Sequence, residues 1–425
     1  MRHSLKVLGA VAGISLLFAG CGSSSGNQPE SAATPTQTTS TTPSAAPAGS
    51  LLVWADDTRA KLLTQVAAKF KADKGVNVTV VQKDFGKIRD DLISQGPSGK
   101  GPDVIVGAHD WLGKLVQNGA VAPIELGDKA SEFSKTALDA VTYDGKVYGL
   151  PYAVENVAFI RNTTLAPNKP KDFADAIKTG EALVKAKKAT LPIAIQQDAK
   201  VGDPYHLYPL QTSFGSVVFG TNASGTYDPT KLELGNAQGV AFAKALAQLG
   251  KDGVLKASVS FDIAKKMFID GKTPYTITGP WNTGDFAKAG IKFSVEDIPS
   301  LGGKPSQPFI GVQAFFISQY SKNQLLANDF VVNYLGTPEV AKQLYDAGQR
   351  PPAMTSVFDQ VKSDPVIAGF GTVGQNCVPL PNIPAMDAVW AEWGSTELAI
   401  IQGKGGDPAK LWTAMASKIA AQIKG

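Results

Sequence analysis

The chain has 425 residues, with 41 basic and 37 acidic side chains and a formal net charge of +4 at pH 7. Without Arg2 and Lys6 at the start of the chain the charge falls to about +2, and so balanced a composition gives no reason to expect nucleic-acid binding. With only three histidines and two cysteines, no transition-metal cluster and no other cofactor are predicted.

The N-terminus has the pattern of a bacterial lipoprotein signal peptide. Its basic start precedes an apolar run over residues 7–19, which is too short to span a bilayer. The run ends in Phe18-Ala19-Gly20-Cys21, which resembles a lipobox, although such motifs more often carry Leu where Phe18 stands. We predict a signal peptide over 1–20, lipidation at Cys21, and an extracytoplasmic protein that is lipid-anchored to the cell membrane. An ordinary secretory signal with an incidental cysteine is the alternative.

Residues 21–50 contain one charged residue, Glu30, among Gly, Ser, Thr, Pro and Ala, a composition that does not bury enough apolar surface to fold. We predict a disordered linker with an end-to-end distance of roughly 30 Å, which tethers a folded body to the membrane. The remaining stretch of about 375 residues exceeds what one hydrophobic core usually organises, so two domains are expected.

The first elements of this body follow a β-α-β pattern. A strand over 51–54 precedes a helix marked by Leu62, Val66 and Phe70 at four-residue steps, and a second strand covers 76–81. The cycle repeats through Ile88 and Leu92 to an apolar strand at 103–107, typical of a parallel sheet. Ligands bind beyond the carboxyl ends of such strands, so the loops at 55–59 and 108–111 are candidates for the site.

Further along the chain, Asp144-Gly145 predicts a hairpin turn between two short strands. Helices are predicted over 237–249, 323–335 and 408–423. The last of these has Asp407 as its N-cap and Pro408 as its first residue.

Carboxylates and aromatic rings recur near the predicted strand ends. Sugars offer C–H faces that stack on aromatic rings and hydroxyls that bond to carboxylates. One such residue is weak evidence, because a tryptophan is more often core than platform and an aspartate is usually solvated. As a set they favour a carbohydrate ligand.

Several short motifs occur in order along nearly the whole mature chain. They are Leu52-Val53-Trp54, Gly101-Pro102-Asp103, Ala108-His109-Asp110, Pro151-Tyr152-Ala153-Val154-Glu155, Asp203-Pro204-Tyr205, Gly279-Pro280-Trp281, Gln307-Pro308-Phe309 and Pro381-Asn382-Ile383-Pro384. Together they resemble the maltose-binding protein family of ABC-importer solute receptors. The resemblance implies an α/β, two-lobe periplasmic-binding-protein-like fold with a ligand cleft between discontinuous lobes. It places the N-terminal lobe at 51–156 plus 312–364 and the C-terminal lobe at 157–311 plus 365–425.

The resemblance also implies a set of ligand-binding residues. Asp110, Glu155, Asp203 and Tyr205 match positions that bind glucose hydroxyls or rings, and Trp281 and Trp390 match stacking platforms. The loop after Trp54 is one residue shorter than the family pattern, which leaves Asp57 and Arg59 as the expected acidic and basic pair.

Three departures from the family pattern concern the sugar. Gly107 stands where a stacking Trp is common, Trp111 where Arg is seen, and Gly394 replaces another Arg. We therefore predict Trp111 and Trp393 as additional platforms. A glucan remains favoured, with its linkage and length open.

The resulting hypothesis is a monomeric, non-enzymatic receptor that binds a maltodextrin-type oligosaccharide and delivers it to ABC transporter permease subunits. A receptor for a non-glucan sugar is one alternative. A receptor for a cation such as a polyamine is another, because Trp and carboxylates also form cation cages. An Arg59 directed into the cleft would disfavour the cation. A glycoside hydrolase would also pair carboxylates, but the lipoprotein signal and the resemblance to a transport receptor argue against it.

Overall fold

The computed structural model describes residues 49–223 and 225–424, all within one compact unit. The predicted signal peptide, Cys21 and nearly all of the linker lie outside the described residues.

The described chain alternates strands and helices. The strands are β1 (Ser50–Ala55), β2 (Asn77–Gln82), β3 (Val104–Ala108), β4 (Thr142–Tyr143), β5 (Lys146–Val147), β6 (Gly149–Asn156), β7 (Ala158–Asn162), β8 (Ala194–Ile195), β9 (Phe219–Thr221), β10 (Tyr227–Leu232), β11 (Tyr275–Thr278), β12 (Phe293–Glu296), β13 (Phe309–Ile317) and β14 (Val378–Pro379). The α-helices are α1 (Asp57–Lys74), α2 (Phe85–Gln95), α3 (Leu112–Gln117), α4 (Lys135–Ala140), α5 (Phe173–Lys185), α6 (Pro204–Thr212), α7 (Ala237–Lys251), α8 (Phe261–Ile269), α9 (Thr283–Lys288), α10 (Gln324–Asn328), α11 (Pro338–Gly348), α12 (Thr355–Val361), α13 (Pro365–Gly374), α14 (Asp387–Ile401) and α15 (Pro408–Lys424).

Two main sheets organise these elements. The larger has the order β14-β13-β3-β1-β2, and β6 also pairs with β13. Its β1, β2 and β3 are parallel, whereas β13 is antiparallel to both β3 and β6. The second sheet has the order β12-β7-β11-β8. The α/β class predicted from the alternating pattern is confirmed.

Each main sheet has its own hydrophobic core. The first core draws its buried residues from 51–153 and 312–357, and the second draws most of its residues from 157–309 and 380–419. Each core thus combines two separate stretches of chain. The lobe boundaries at 156, 311 and 364 stay predictions.

Several local predictions are confirmed. Asp144 and Gly145 both adopt positive φ, 48° and 73°, between β4 and β5, as a tight hairpin of this kind requires. The side chain of Asp407 accepts hydrogen bonds from the backbone N–H groups of residues 409 and 410 at the start of α15. The predicted helix at 323–335 is divided, because α10 passes into a π-helical stretch at Asp329–Leu335.

Candidate functional site

Glu155 lies where the two long strands β6 and β13 pair. It is opposite Gly311 in the register, and Gln313 is opposite Ala153. The glutamate is only 4% exposed. One of its oxygens accepts a hydrogen bond from Nε2 of Gln313 and the other from Nε of Arg350, both at 2.8 Å. The buried carboxylate is therefore paired with a guanidinium and oriented by an amide.

Arg350 joins three parts of the chain at this point. Besides its bond to Glu155, it donates from Nη2 to the hydroxyl of Thr58 at 3.2 Å, in the first turn of α1. Its guanidinium carbon also lies 5.8 Å from the centroid of the Trp281 ring, which packs against the second core. Arg350 was not predicted as a site residue, because no family motif in the sequence includes it.

Arg59 forms a second buried charge pair nearby. It donates to the carboxylate of Asp56 and to the hydroxyl of Tyr152, and its guanidinium carbon lies 5.3 Å from the centroid of the Phe85 ring. Burial lowers the pKa of Arg59 from its ordinary value. Asp57, the predicted acidic partner, is exposed on α1. The acid that pairs with Arg59 in the structure is therefore Asp56.

Asp203 caps the N-terminus of α6. Its Oδ1 accepts from the backbone N–H of His206 at 3.2 Å and lies 2.9 Å from Nδ1 of the same residue. Its Oδ2 accepts from Nε2 of Gln196 at 2.6 Å. These donors fix the orientation of the carboxylate, which in turn holds the first turn of α6 in place.

Tyr205 lies on this first turn and faces Glu155. Its hydroxyl would be 3.9 Å from a Cβ built on Gly311, the residue opposite Glu155. Burial, followed by the charge of Glu155, raises the pKa of Tyr205 well above its ordinary range. Its ring is stacked on Phe309 with centroids 6.3 Å apart. The phenol therefore remains a neutral group that donates and accepts hydrogen bonds.

Trp281 and Trp390 are both partly exposed aromatic rings. Trp281 belongs to a 3-10 turn after β11, and its ring covers Gly279 so closely that a Cβ there would lie 2.1 Å from a ring carbon. Trp390 lies on α14, edge-on to Phe309 with centroids 6.3 Å apart. Each ring is held in place on one side and retains some exposed surface, as a stacking platform requires.

Trp393 behaves differently from its neighbour Trp390. It has no exposed surface and belongs to the second core, where its ring stacks against Trp390 with centroids 5.7 Å apart. A ring without an exposed face cannot stack on a sugar, although it can support a neighbouring ring that does. The structure therefore places Trp393 behind Trp390, in contrast to the predicted platform role.

Asp110 follows β3 and forms a hydrogen bond with a residue that packs against the second core. The indole N–H of Trp390 donates to its carboxylate, and burial raises the pKa of Asp110 to about 6, an effect that the charge of Arg89 opposes. Close by, Arg89 and Lys114 both lie 2.9 Å from the carboxylate of Asp387, at the start of α14. The elements after β2 and β3 thus contact α14 through polar side chains.

Trp111 is mostly buried, with 7% of its surface exposed. A Cβ on Gly107 would lie only 2.3 Å from the Trp111 ring, so the ring occupies the space beside that glycine. Phe85 packs on Trp111 with centroids 4.7 Å apart. The Trp111 ring therefore occupies the space that a side chain at position 107 would need.

Most of the predicted residues come together around the β6–β13 pair. Tyr205 and Glu155 both lie beside Gly311, and Arg350 connects Glu155 with Trp281. Asp110 accepts a hydrogen bond from Trp390. The sequence interpretation missed Arg350, Gln313, His206 and Phe85 as neighbours of this group. The described residues contain no group of three His, Cys, Asp or Glu side chains able to hold a metal ion.

Comparisons with known proteins identify the family to which this chain is similar. The profile of the family described as bacterial extracellular solute-binding protein matches residues 65–369. The galactooligosaccharide-binding protein of Bacillus subtilis (strain 168) is 28% identical over 438 residues, which cover 100% of this chain and 98% of that relative. The maltooligosaccharide ABC transporter solute-binding lipoprotein of Streptococcus pneumoniae (strain ATCC BAA-255 / R6) is 30% identical over 91% of this chain and 89% of the relative.

Among solved structures, the maltotriose binding protein of Thermus thermophilus bound with maltotriose matches with a TM-score of 0.80. The sequence identity is 28%, and the match covers 88% of this chain and 100% of that chain. At this coverage the likeness extends over both cores.

Proposed function

Since this chain belongs to the bacterial extracellular solute-binding protein family, we propose that it is the oligosaccharide receptor of an ABC importer. The ligand is a maltodextrin-type α-glucan, bound in the inter-lobe cleft around Glu155. The ligand-binding set comprises Asp110, Glu155, Asp203, Tyr205, Trp281 and Trp390, with Arg59 and Trp111 as supporting residues. The permease subunits of the importer are the protein partners, and the receptor acts as a monomer.

The charge balance around Glu155 is the observation that carries this proposal. Two guanidinium groups, Arg59 and Arg350, pair with two carboxylates, Asp56 and Glu155, and all four side chains are buried. A neutral ligand adds no net charge to this group. A cation would meet two guanidinium groups beside the carboxylate, so the balance favours a sugar over a polyamine.

The aromatic rings fit the same ligand. Trp281 and Trp390 each retain an exposed surface, and Tyr205 faces Glu155 with a neutral hydroxyl. A sugar ring lays its C–H face on such an aromatic ring and directs its hydroxyls to carboxylates at the edge. Platforms beside charge-paired polar groups therefore suit a hydroxyl-rich ligand.

The names of the relatives bear on which sugar is bound. Two of them are described as maltooligosaccharide and maltotriose receptors, and a third as a galactooligosaccharide receptor. We take the glucan as the ligand because Trp281 and Trp390 match the stacking platforms of the family that the sequence resembles, and Tyr205 matches a position that binds glucose hydroxyls or rings. A galacto-oligosaccharide is the second candidate.

The receptor cycle follows from the position of the site. Arg350 and Trp281, whose guanidinium carbon and ring centroid lie 5.8 Å apart, bring together residues linked to each of the two cores, so a ligand there gains both sets of contacts when the lobes close. Lipidation at Cys21 holds the receptor near the permease, as the description of one relative as a lipoprotein suggests. The receptor is not an enzyme in this proposal, so it delivers the carbohydrate unchanged.

The test is calorimetric titration of the delipidated protein with maltose, maltotriose, longer maltodextrins, a galacto-oligosaccharide, cellobiose and spermidine. Tightest binding of a maltodextrin, with no heat from spermidine, is the expected result. Tightest binding of the galacto-oligosaccharide would replace the glucan by the second candidate, and binding of spermidine alone would overturn the proposal. Chromatography of the incubated sugars checks for hydrolysis, and shortened products would contradict the non-enzymatic role.

A further inference from the structure

Two buried hydrogen-bond acceptors next to the proposed site have no partner among the described residues. They are Oε1 of Gln313 and Nε2 of His206. The two side chains are 6% and 5% exposed. Buried polar atoms are nearly always hydrogen-bonded in folded proteins, and an exception beside a binding site calls for a partner from outside the chain.

The orientation of the Gln313 amide is fixed by Glu155. Nε2 donates to the glutamate carboxylate at 2.8 Å, and a carboxylate only accepts, so the amide nitrogen must face Glu155. Oε1 therefore faces away from Glu155. Gln313 stands opposite Ala108 on one neighbouring strand and Ala153 on the other, small residues that leave its amide uncovered by side chains from these positions.

The orientation of the His206 ring is fixed in the same way. Nδ1 lies 2.9 Å from the carboxylate of Asp203, which accepts, so Nδ1 carries the hydrogen. In the neutral ring Nε2 is then an acceptor. The ring stands edge-on to Trp281 at 6.1 Å and to Tyr205 at 5.3 Å between centroids, so it is held between two proposed ligand-binding residues.

We infer that Gln313 and His206 bind the ligand directly, each accepting a hydrogen bond from one sugar hydroxyl, and that they select sugars with hydroxyls at those two positions. The inference rests on the proposed function, since it presumes that an oligosaccharide occupies the site. It adds two residues that no family motif in the sequence marks. Both atoms are acceptors, so the ligand supplies two O–H donors, which an ether or deoxy sugar lacks at the same position.

Two substitutions remove these acceptors while preserving much of their surroundings. His206→Asn keeps an amide N–H that is able to donate to Asp203 and loses the acceptor at the far side of the ring. Gln313→Met keeps the length of the side chain and loses the amide. Gln211→Met is the matched control, because Gln211 is also fully buried with an unpartnered Oε1 but its Nε2 bonds to Ser216, away from the proposed site.

The experiment titrates each variant with the best oligosaccharide of the panel and with its monodeoxy analogues. We expect His206→Asn and Gln313→Met each to weaken binding about three- to tenfold, and Gln211→Met to leave affinity unchanged. For the wild-type protein, one deoxy position should cost affinity through His206 and another through Gln313. Each of these penalties should disappear in the corresponding variant, because the lost hydroxyl has no acceptor there.

The outcomes separate the two proposals. If the deoxy analogues lose the same affinity in the variants as in the wild-type protein, the two side chains have a structural role and the inference is overturned. The inference is also overturned if the wild-type protein binds every deoxy analogue as tightly as the parent sugar. In either case the oligosaccharide receptor stands. If the wild-type protein binds no oligosaccharide at all, both the proposed function and this inference fall. Melting temperatures of all variants show that each one is folded.

Discussion

Glu155 and Arg350 form a buried ion pair in which Oε2 and Nε are 2.8 Å apart and the side chains are 5% and 7% exposed. The pair links the strand β6 to the segment after α11, close to the Trp281 ring. Its position makes it a part of the fold as well as of the proposed site, so binding and stability must be measured separately on the same variants.

The first prediction concerns this ion pair. Arg350→Met leaves the Glu155 carboxylate buried without its cation, and we expect a loss of about 3–5 kcal/mol in the free energy of unfolding. Urea denaturation measures it. The control is Lys342→Met, which breaks an exposed pair with Asp346 and should change stability by less than about 1 kcal/mol. Equal small losses in both variants would contradict the buried pair.

The second prediction separates a platform from a core residue. Trp281→Ala should weaken sugar binding by at least about 2 kcal/mol, because it removes a ring that covers a sugar face. Calorimetry gives the affinity, and the melting temperature of the same sample gives the stability. Trp412→Phe is the control. Its indole is fully buried in the second core and donates to the carbonyl of Leu234, so the change should lower the melting temperature and leave affinity intact. Unchanged affinity in folded Trp281→Ala would assign Trp281 to the core.

Much of the fold was accessible from the sequence because it depends on local pattern. The apolar strand Val104–Ala108 and the helical spacing of Leu62, Val66 and Phe70 express the periods of a buried strand and of a helix directly. Asp407 marks a helix start because its side chain caps the first backbone N–H groups, and Pro408 does so because its fixed φ suits the first helical position. The division at Asp329–Leu335 has no such local signal, since a π-helical stretch preserves the apolar composition of a helix.

The site was accessible only in part, because burial decides between the two roles of each residue. Trp390 and Trp393 are three positions apart on one helix, yet the first retains exposed surface and the second has none. Arg350 reaches Glu155 across 195 positions of sequence, a contact that periodicity does not predict. The choice of Asp56 over Asp57 as the partner of Arg59 likewise depends on which carboxylate the helix turn directs inward.

The third prediction concerns the pH dependence of stability. Burial raises the pKa of Asp110 from its ordinary value of 3.8 to about 6. Below pH 4 the carboxyl group is protonated in both the folded and the unfolded protein, and above pH 6 it is ionised in both. Between these values only the unfolded state loses its proton, so the folded protein loses stability as pH rises from 4 to 6 and the loss persists above it.

Asp110→Asn removes this contribution, because the amide is neutral at every pH and its oxygen still accepts from Trp390. We expect the stability of the variant relative to the wild type to rise by about 2 kcal/mol between pH 4 and pH 7. Urea denaturation of both proteins at four pH values measures the difference. A constant difference across that range would show that Asp110 titrates normally.

The fourth prediction concerns the proposed lipid anchor. Cys21→Ser removes the thiol that the lipobox presents for acylation, so the expressed protein should leave the membrane fraction. Its sugar affinity should not change, because the tether contributes no residue to the proposed site. Fractionation and calorimetry on the released protein are the measurements. Retention of the variant in the membrane fraction after a high-salt wash would rule out lipidation at Cys21 as the anchor.

The last prediction concerns Gly107 and Trp111, which share one space. A Cβ at position 107 would lie 2.3 Å from the indole ring, well inside van der Waals contact, and Phe85 also packs against this ring with centroids 4.7 Å apart. Gly107→Ala should therefore displace Trp111 and destabilise the protein by about 1–3 kcal/mol, as overpacking of a buried position does. If Trp111 supports the site, sugar affinity should fall as well.

A second substitution shows whether the clash is the cause. Trp111→Leu in the Gly107→Ala background removes the ring that the new methyl group meets, so most of the lost stability should return, and the two effects should be strongly non-additive. Urea denaturation of the two single variants and the double variant measures the coupling. Additive losses would mean that Gly107 is required for the backbone of β3 and not for the ring. Sugar affinity in the double variant then reports the contribution of Trp111 itself, since the packing at position 107 is relieved while the indole is absent.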